Sequence, residues 1–336
     1  MIWIAVDAMG GDEAPHNIVD GALAAARHFD LGVTLVGPEE RLAAELARHP
    51  SVDPGQVRVV HADSVIDMSE APAAALRRKP GASIRVACGL VAQGEASAVF
   101  SAGHTGATVI AAHAAFGMLP GADRPALAAT IPTRQEPALL LDVGASVECR
   151  PSHLLQFAVM GSMYARVAFG IERPRVALLS NGEEETKGNE LTREAHRLLK
   201  ASSLAFIGNL EARDMYTGAA DVIVCDGFTG NIALKTSEGL VEVVEELLRE
   251  ELTSTYTMRL GSLLTRRALR HFRRRVDYSE YGGAPLLGVA GLAVVGHGRS
   301  SAKAVRNAIA MAYRFAGSHF IERVEREIAA AAVSHS

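Results

Sequence analysis

Short unbroken apolar runs alternate along this chain with longer amphipathic stretches, and Gly-rich turns separate them. Ile2–Val6 reads as a buried strand, with a turn at Met9–Asp12 and a helix from about Pro15 to His28. The same alternation predicts a strand at Val33–Val36, a helix at Glu39–Arg48 and a strand at Val57–Val60. Ser69 is the expected N-cap of the next helix, and Ser83–Gln93 is helical. Ala98–Ser101 is a strand and Ala107–Phe116 a helix. Strands follow at Ala138–Leu141, Val176–Leu179 and Val222–Cys225, then a helix at Ile232–Arg249. Val289–Val295 is a strand and Ala302–Phe315 the last major helix. Continuous apolar strands are buried on both faces, so the pattern predicts a three-layer α/β/α fold with a mostly parallel sheet. Ligands in such sheets sit beyond the carboxyl ends of the strands.

One segment breaks the pattern. From Leu252 to Val276 there is no acidic residue, but there are seven arginines: Arg259, Arg266, Arg267, Arg270, Arg273, Arg274 and Arg275. Leu260, Leu263, Leu264, Leu269 and Phe272 are interleaved with them. The apolar groups before and after Thr265 point in different directions on one straight helix, so a hairpin of two short helices is expected. Residues 250–278 form a basic amphipathic insertion. It either packs on a partner subunit or meets anionic lipid or an acidic protein.

Composition narrows the class. The 336 residues are 49% apolar and 21% charged, enough for a full core in one large α/β unit spanning 1–336, with two lobes around one cleft as a variant. With 34 Lys plus Arg against 38 Asp plus Glu, net charge is −4, so no nucleic-acid partner is expected. Cys88, Cys149 and Cys225 are odd in number and far apart. They predict no disulfide framework and a reducing, cytoplasmic setting. Met1–Asp7 lacks the basic region of a signal peptide, and no uncharged apolar run is long enough for a transmembrane helix.

Candidate chemistry lies in the loops after the strands. Gly103, His104, Thr105 and Gly106 follow one strand and open a helix; backbone amides and the Thr105 hydroxyl suit an anion, although a plain tight turn has the same look. Asp226 ends another strand and either works as a base or orienting group or simply caps the next helix. Asn231 and Lys235 are four residues apart and share a face of that helix. Lys187 and Asn189 close an acidic loop before a helix and offer a second anion contact. Tyr281–Gly288 is a rigid apolar bend leading through a strand to Gly296–Ser301, with His297 near its tip. Dinucleotide, Walker, zinc-protease and nucleophile-elbow motifs are absent, and no metal ligation or cofactor is expected.

Together these residues are recognisable. Asp7-Ala8-Met9-Gly10-Gly11-Asp12-Glu13-Ala14-Pro15 resembles the opening signature of the PlsX family, bacterial acyl-acyl carrier protein:phosphate acyltransferases. The resemblance continues through Ser101–Ala107, Leu141–Ala145, Asn181–Asn189, Asn209–Asp214, Asp221–Thr236 and Asp277–Gly288 to His297-Gly298. His104, Ser146, Asn181, Thr186 and Ala212 depart from the family pattern; His104 stands where asparagine is expected. The resemblance implies a fold similar to isocitrate dehydrogenase-like enzymes and phosphotransacetylases, a homodimer, and acyl transfer from acyl carrier protein to phosphate for phospholipid synthesis. It further implies location in the cytoplasm, at the inner face of the membrane, with a membrane glycerol-3-phosphate acyltransferase and the anionic membrane surface as partners. Under it, Asp226, Asn231, Lys235 and His297 are the catalytic candidates. Gly103, His104, Thr105, Gly106, Lys187 and Asn189 bind phosphate, and Arg266, Arg267, Arg270, Arg273, Arg274 and Arg275 face carrier protein or membrane. The rivals are a coenzyme A-dependent phosphotransacylase of the same fold, a metal- and NAD-dependent decarboxylating dehydrogenase of similar fold, and a membrane-docked scaffold without catalysis.

Overall fold

The structure is a computed structural model and describes residues 1–50, 52–255 and 282–333, together with 257, 258, 261 and 267. Its strands are β1 (Ile2–Asp7), β2 (Leu31–Gly37), β3 (Val57–His61), β4 (Ala98–Ser101), β5 (Ala126–Ile131), β6 (Ala138–Leu141), β7 (Arg175–Ser180), β8 (Ala205–Glu211), β9 (Val222–Val224), β10 (Ala284–Leu287) and β11 (Leu292–Val295). They form one 11-stranded sheet in the order β3-β2-β1-β4-β11-β10-β5-β6-β9-β7-β8. Both wings are parallel, whereas β10 pairs antiparallel with β11 and β5, and β5 with β6.

The helices are α1 (His16–His28), α2 (Glu39–Leu46), α3 (Pro72–Arg78), α4 (Ser83–Ala92), α5 (Thr105–Phe116), α6 (Pro151–Phe169), α7 (Glu190–Ala201), α8 (Gly227–Thr253), α9 (Ala302–Gly317) and α10 (Phe320–Val333). They cover both faces of the sheet. Ile4 and Val6 of β1 join a core with Leu23, Phe157 and Phe315, while Ala5 joins an opposite core with Ile84, Cys88 and Val99. Strands buried on both sides cannot alternate apolar with polar, which is why they read as continuous apolar runs. Among the described residues no helix is long and apolar enough to cross a membrane.

Several expectations need correction. Ser69 caps no helix: its amide and hydroxyl both donate to Asp67 Oδ1, at 2.9 and 2.6 Å, and α3 starts at Pro72 after Ala71. A proline already set to a helical φ starts that turn. The apolar stretch 289–295 is not one strand. Met118 bridges to Val289, and β11 starts only at Leu292 after a glycine, while Pro285 of the preceding bend is a strand residue in β10. Helix α6, 19 residues long, was not anticipated; it buries Leu154, Phe157, Ala158 and Met160 and has no polar stripe to reveal its period. Helices α5 and α8 begin earlier than expected, at Thr105 and Gly227, because the Gly-rich loops are their first turns. The anticipated insertion starts inside α8, which runs to Thr253; Arg259, Arg266, Arg270, Arg273, Arg274 and Arg275 lie outside the described residues.

Candidate active site

The carboxyl ends of β1, β4 and β11 are adjacent, and their loops support one another. Asp7 ends β1 and is buried; it accepts a hydrogen bond from Ser101 Oγ at 2.7 Å, and Ser101 Oγ in turn accepts from the Gly103 amide at 3.1 Å. Burial raises the Asp7 carboxyl above its ordinary value, against the pull of hydrogen bonds from Ser83 and Ser101. A side chain at Gly10 would run into the Gly103 amide at 2.7 Å, so the two loops pack backbone to backbone. On the other side, the Asp12 amide donates to Gly298 O at 2.8 Å, tying the β1 loop to the one that carries His297.

Four predicted residues meet in a cleft of about 170 Å³ at this rim. Thr105 enters it from the first turn of α5, Asn231 and Lys235 from α8, and His297 from the loop after β11. Lys235 Nζ donates to Glu238 Oε2 at 2.7 Å and lies 3.3 Å from His297 Nε2. The Arg299 amide donates to His297 Nδ1 at 3.2 Å. Two donors therefore converge on one imidazole, and a neutral ring accepts from one at a time. The His297 pKa is lowered, first by burial and then by the Lys235 charge, with Arg299 adding and Glu238 and Asp12 opposing. The ring is thus neutral near pH 7, beside the Lys235–Glu238 ion pair.

The remaining predicted residues are elsewhere. Gly103, His104 and Gly106 form the turn behind Thr105; His104 Nδ1 is buried without a hydrogen-bond partner. Asp226 and Asn189 line a second cleft of about 880 Å³ on the other flank of α8, with Asn181, Arg213, Tyr216 and Thr236. Both are helix caps. Asp226 Oδ1 accepts from the Thr229 amide at 2.9 Å and Oδ2 from its hydroxyl at 2.7 Å, while Asn189 Oδ1 accepts from the Thr192 amide at 3.0 Å. Lys187 is exposed and lies over Gly182. Cys225 also lines this cleft, but burial holds its thiol protonated, its pKa well above the ordinary value.

Some participants carried no clear individual signal in sequence. Glu238 and Arg299 complete the polar wall of the small cleft, and only the spacing of Glu238 from Lys235, one helical turn, hinted at the first. Asp142 is fully buried, and its carboxylate accepts four backbone N–H groups, from Leu127, Gly144, Ala145 and Ser146, at 2.6–3.0 Å. Burial raises its pKa while those amides lower it. Helix α8 starts against this knot: a Cβ on Gly230 would overlap the Asp142 carbonyl oxygen, and one on Gly227 would lie 2.5 Å from Asp142 Oδ2.

This architecture has solved counterparts. A phosphotransacetylase from Streptococcus pyogenes superposes with TM-score 0.65 at 19% identity, over 94% of each chain. The EutD phosphotransacetylase from Staphylococcus aureus gives TM-score 0.60 at 17% identity, again over 94% of each chain. The fold is therefore that of the phosphotransacetylases, with the small cleft at the strand ends. Sequence narrows the class further. Residues 2–323 match a family model described as fatty acid synthesis protein. A phosphate acyltransferase of Geobacter sulfurreducens is 50% identical over 331 residues, 97% of this chain and 95% of the relative. One from Pelotomaculum thermopropionicum is 51% identical over 325 residues, 97% and 94% respectively. The chain belongs to this family, the phosphate acyltransferases of fatty acid synthesis.

Proposed function

We propose that the protein transfers a fatty acyl group from the thioester of acyl-acyl carrier protein to inorganic phosphate, releasing acyl phosphate for phospholipid synthesis. The observation that carries this reading is the convergence of Thr105, Asn231, Lys235 and His297 in one cleft at the strand ends. Phosphate dianion enters against the Lys235 ammonium and the Thr105 hydroxyl. Its oxygen attacks the thioester carbonyl, so a C–O bond forms as the C–S bond breaks. Phosphate is already a nucleophile at neutral pH, and holding it against the thioester supplies most of what catalysis needs. Asn231 and Lys235 are placed to stabilise the oxyanion. When the anion draws Lys235 away from His297, the Arg299 amide keeps Nδ1 as acceptor. Nε2–H then faces the cleft and donates a hydrogen bond to the departing thiolate, whose proton comes from the phosphate hydroxyl as that group becomes part of the acyl phosphate. The larger cleft beyond α8, bounded by Asp226 and Asn189, suits the extended arm of the donor.

The test is mass-spectrometric detection of acyl phosphate after mixing protein, phosphate and acyl-acyl carrier protein, with acyl-coenzyme A as parallel donor. Product from both donors at equal efficiency would replace the carrier-protein assignment with the coenzyme A one; product from neither would end the reading. Lys235→Ala should lower kcat/KM at least tenfold, a loss of about 1.4 kcal/mol in transition-state stabilisation. Thr105→Val should raise the phosphate KM more than the donor KM.

The same reading includes a homodimer in the cytoplasm at the inner membrane face, feeding a membrane glycerol-3-phosphate acyltransferase. The arginines at 259–275 supply the contact with carrier protein or anionic lipid.

A further inference from the structure

We propose that the protein holds one divalent transition-metal ion between α1 and the end of α2, at a site built from His16, Asp20 and Glu45, with His49 beside Asp20 as a fourth candidate ligand. The site is remote from the proposed reaction and does not rest on it.

The residues come as two pairs, each spaced i,i+4: His16 with Asp20 on α1, and Glu45 on α2 with His49 just after it. Such spacing puts both members of a pair on one side of a helical turn, and here the two pairs face each other. His16 Nδ1 lies 2.9 Å from Glu45 Oε1, and His49 Nε2 lies 2.9 Å from Asp20 Oδ1. Longer contacts run 3.7 Å from His16 Nε2 to Asp20 Oδ2, through the second nitrogen and second oxygen of those residues, and 3.9 Å from His49 Nε2 to Glu45 Oε1. His16, Asp20 and Glu45 each offer one ligand atom within 4.8 Å of the others. Zinc bonds of about 2.0–2.2 Å in a tetrahedron set ligand atoms roughly 3.4 Å apart, so these three residues need only small side-chain shifts to close on an ion.

Two further observations point to an ion rather than to plain ion pairs. His49 Nε2 is buried and makes no hydrogen bond, although a carboxylate oxygen is 2.9 Å away. Two ligands of a common ion stand in that relation. Glu45, 8% exposed, directs Oε1 to the histidines, while Arg48 takes Oε2 at 3.4 Å, so one oxygen is left for the ion. The two carboxylates, Asp20 and Glu45, carry the charge that a divalent cation cancels. Mixed nitrogen and oxygen ligands of this kind suit zinc, cobalt or nickel rather than calcium or magnesium. An ion there would pin the N-terminus of α1 to α2. That end of α1 also reaches the His297 loop, through Asn17 Nδ2 and Ser300 O at 3.4 Å.

The experiment is titration of chelator-treated full-length protein with Co²⁺, followed by its visible absorption, and with Zn²⁺, followed by calorimetry and thermal melting. One equivalent should bind, with a tetrahedral cobalt spectrum and a rise in Tm. His16→Ala and Asp20→Asn, both at partly exposed positions, should each weaken binding roughly tenfold or more and abolish the Tm rise. His28→Ala, on the exposed end of α1, should change neither. Cobalt and zinc binding that survives His16→Ala and Asp20→Asn unchanged, or a wild-type protein that binds neither ion, overturns the proposal.

Discussion

His297 is the residue whose chemistry depends most on its neighbours. Burial and the Lys235 ammonium both push its pKa below the ordinary histidine value of about 6.5. The ring should therefore titrate in an NMR pH series below that value. Lys235→Ala removes a positive charge and leaves Glu238, which acts the other way, so the midpoint should move upward. An unmoved midpoint would show that the two side chains do not share an environment in solution. Asp226 poses a different question, because it caps α8 whatever else it does. Asp226→Ala loses the acceptor for the Thr229 amide and should cost about 0.5–2 kcal/mol in stability, read by urea unfolding. Asp226→Asn keeps an acceptor and loses only the charge. If the charge serves catalysis, the Asn variant should unfold like wild type while kcat/KM falls at least tenfold; wild-type kinetics would leave Asp226 as a cap alone.

At the scale of elements, α8 decides the site, since it divides one strand-end rim into two clefts. Its position is fixed where Gly230 meets the Asp142 carbonyl with no room for a side chain. Gly230→Ala must push α8 off the sheet, and a loss of about 3 kcal/mol in stability is expected, with a lowered Tm as the readout. Beyond α8, the arginine-rich segment carries its own prediction. A basic residue near an anionic bilayer contributes about 1 kcal/mol, so a cluster suffices for reversible docking. Replacing Arg273, Arg274 and Arg275 with Ser should reduce cosedimentation with phosphatidylserine vesicles or raise the acyl-donor KM. Replacing Leu263 and Leu264 with Glu should reduce vesicle binding without changing the oligomeric state. A Glu variant that becomes monomeric while the Ser variant keeps vesicle binding and donor KM would make the segment a dimer contact instead.

For the whole molecule, the sheet is the organising unit, with separate cores on its two faces and nearly all the candidate chemistry on one rim. The mixed centre, where β10, β5 and β6 run antiparallel, sits between two parallel wings. Direct parallel pairing of β11 with β4 puts the loop after β11 beside the one that carries Thr105. Helix α8, which follows β9 in the other wing, brings Lys235 within reach of His297, 62 residues away in sequence.

The sequence by itself determined the α/β class and the strand-to-helix turns, because burial on both faces imposes continuous apolar strands and glycines mark close backbone approaches. It also determined the family, since ordered motifs along nearly the whole chain leave few alternatives. The grouping of the site was decided only in three dimensions. Asn231, Lys235, Thr105 and His297 come together, while Asp226 and Asn189 turn to the other side of α8. A side chain's partner depends on which strand its element packs against, and strand order is not written in local pattern. Helix α6 stayed hidden because a helix buried on most sides shows no polar stripe. The pairs His16–Asp20 and Glu45–His49 were each visible as i,i+4 spacings. Only the packing of α1 near α2 brings these side chains together.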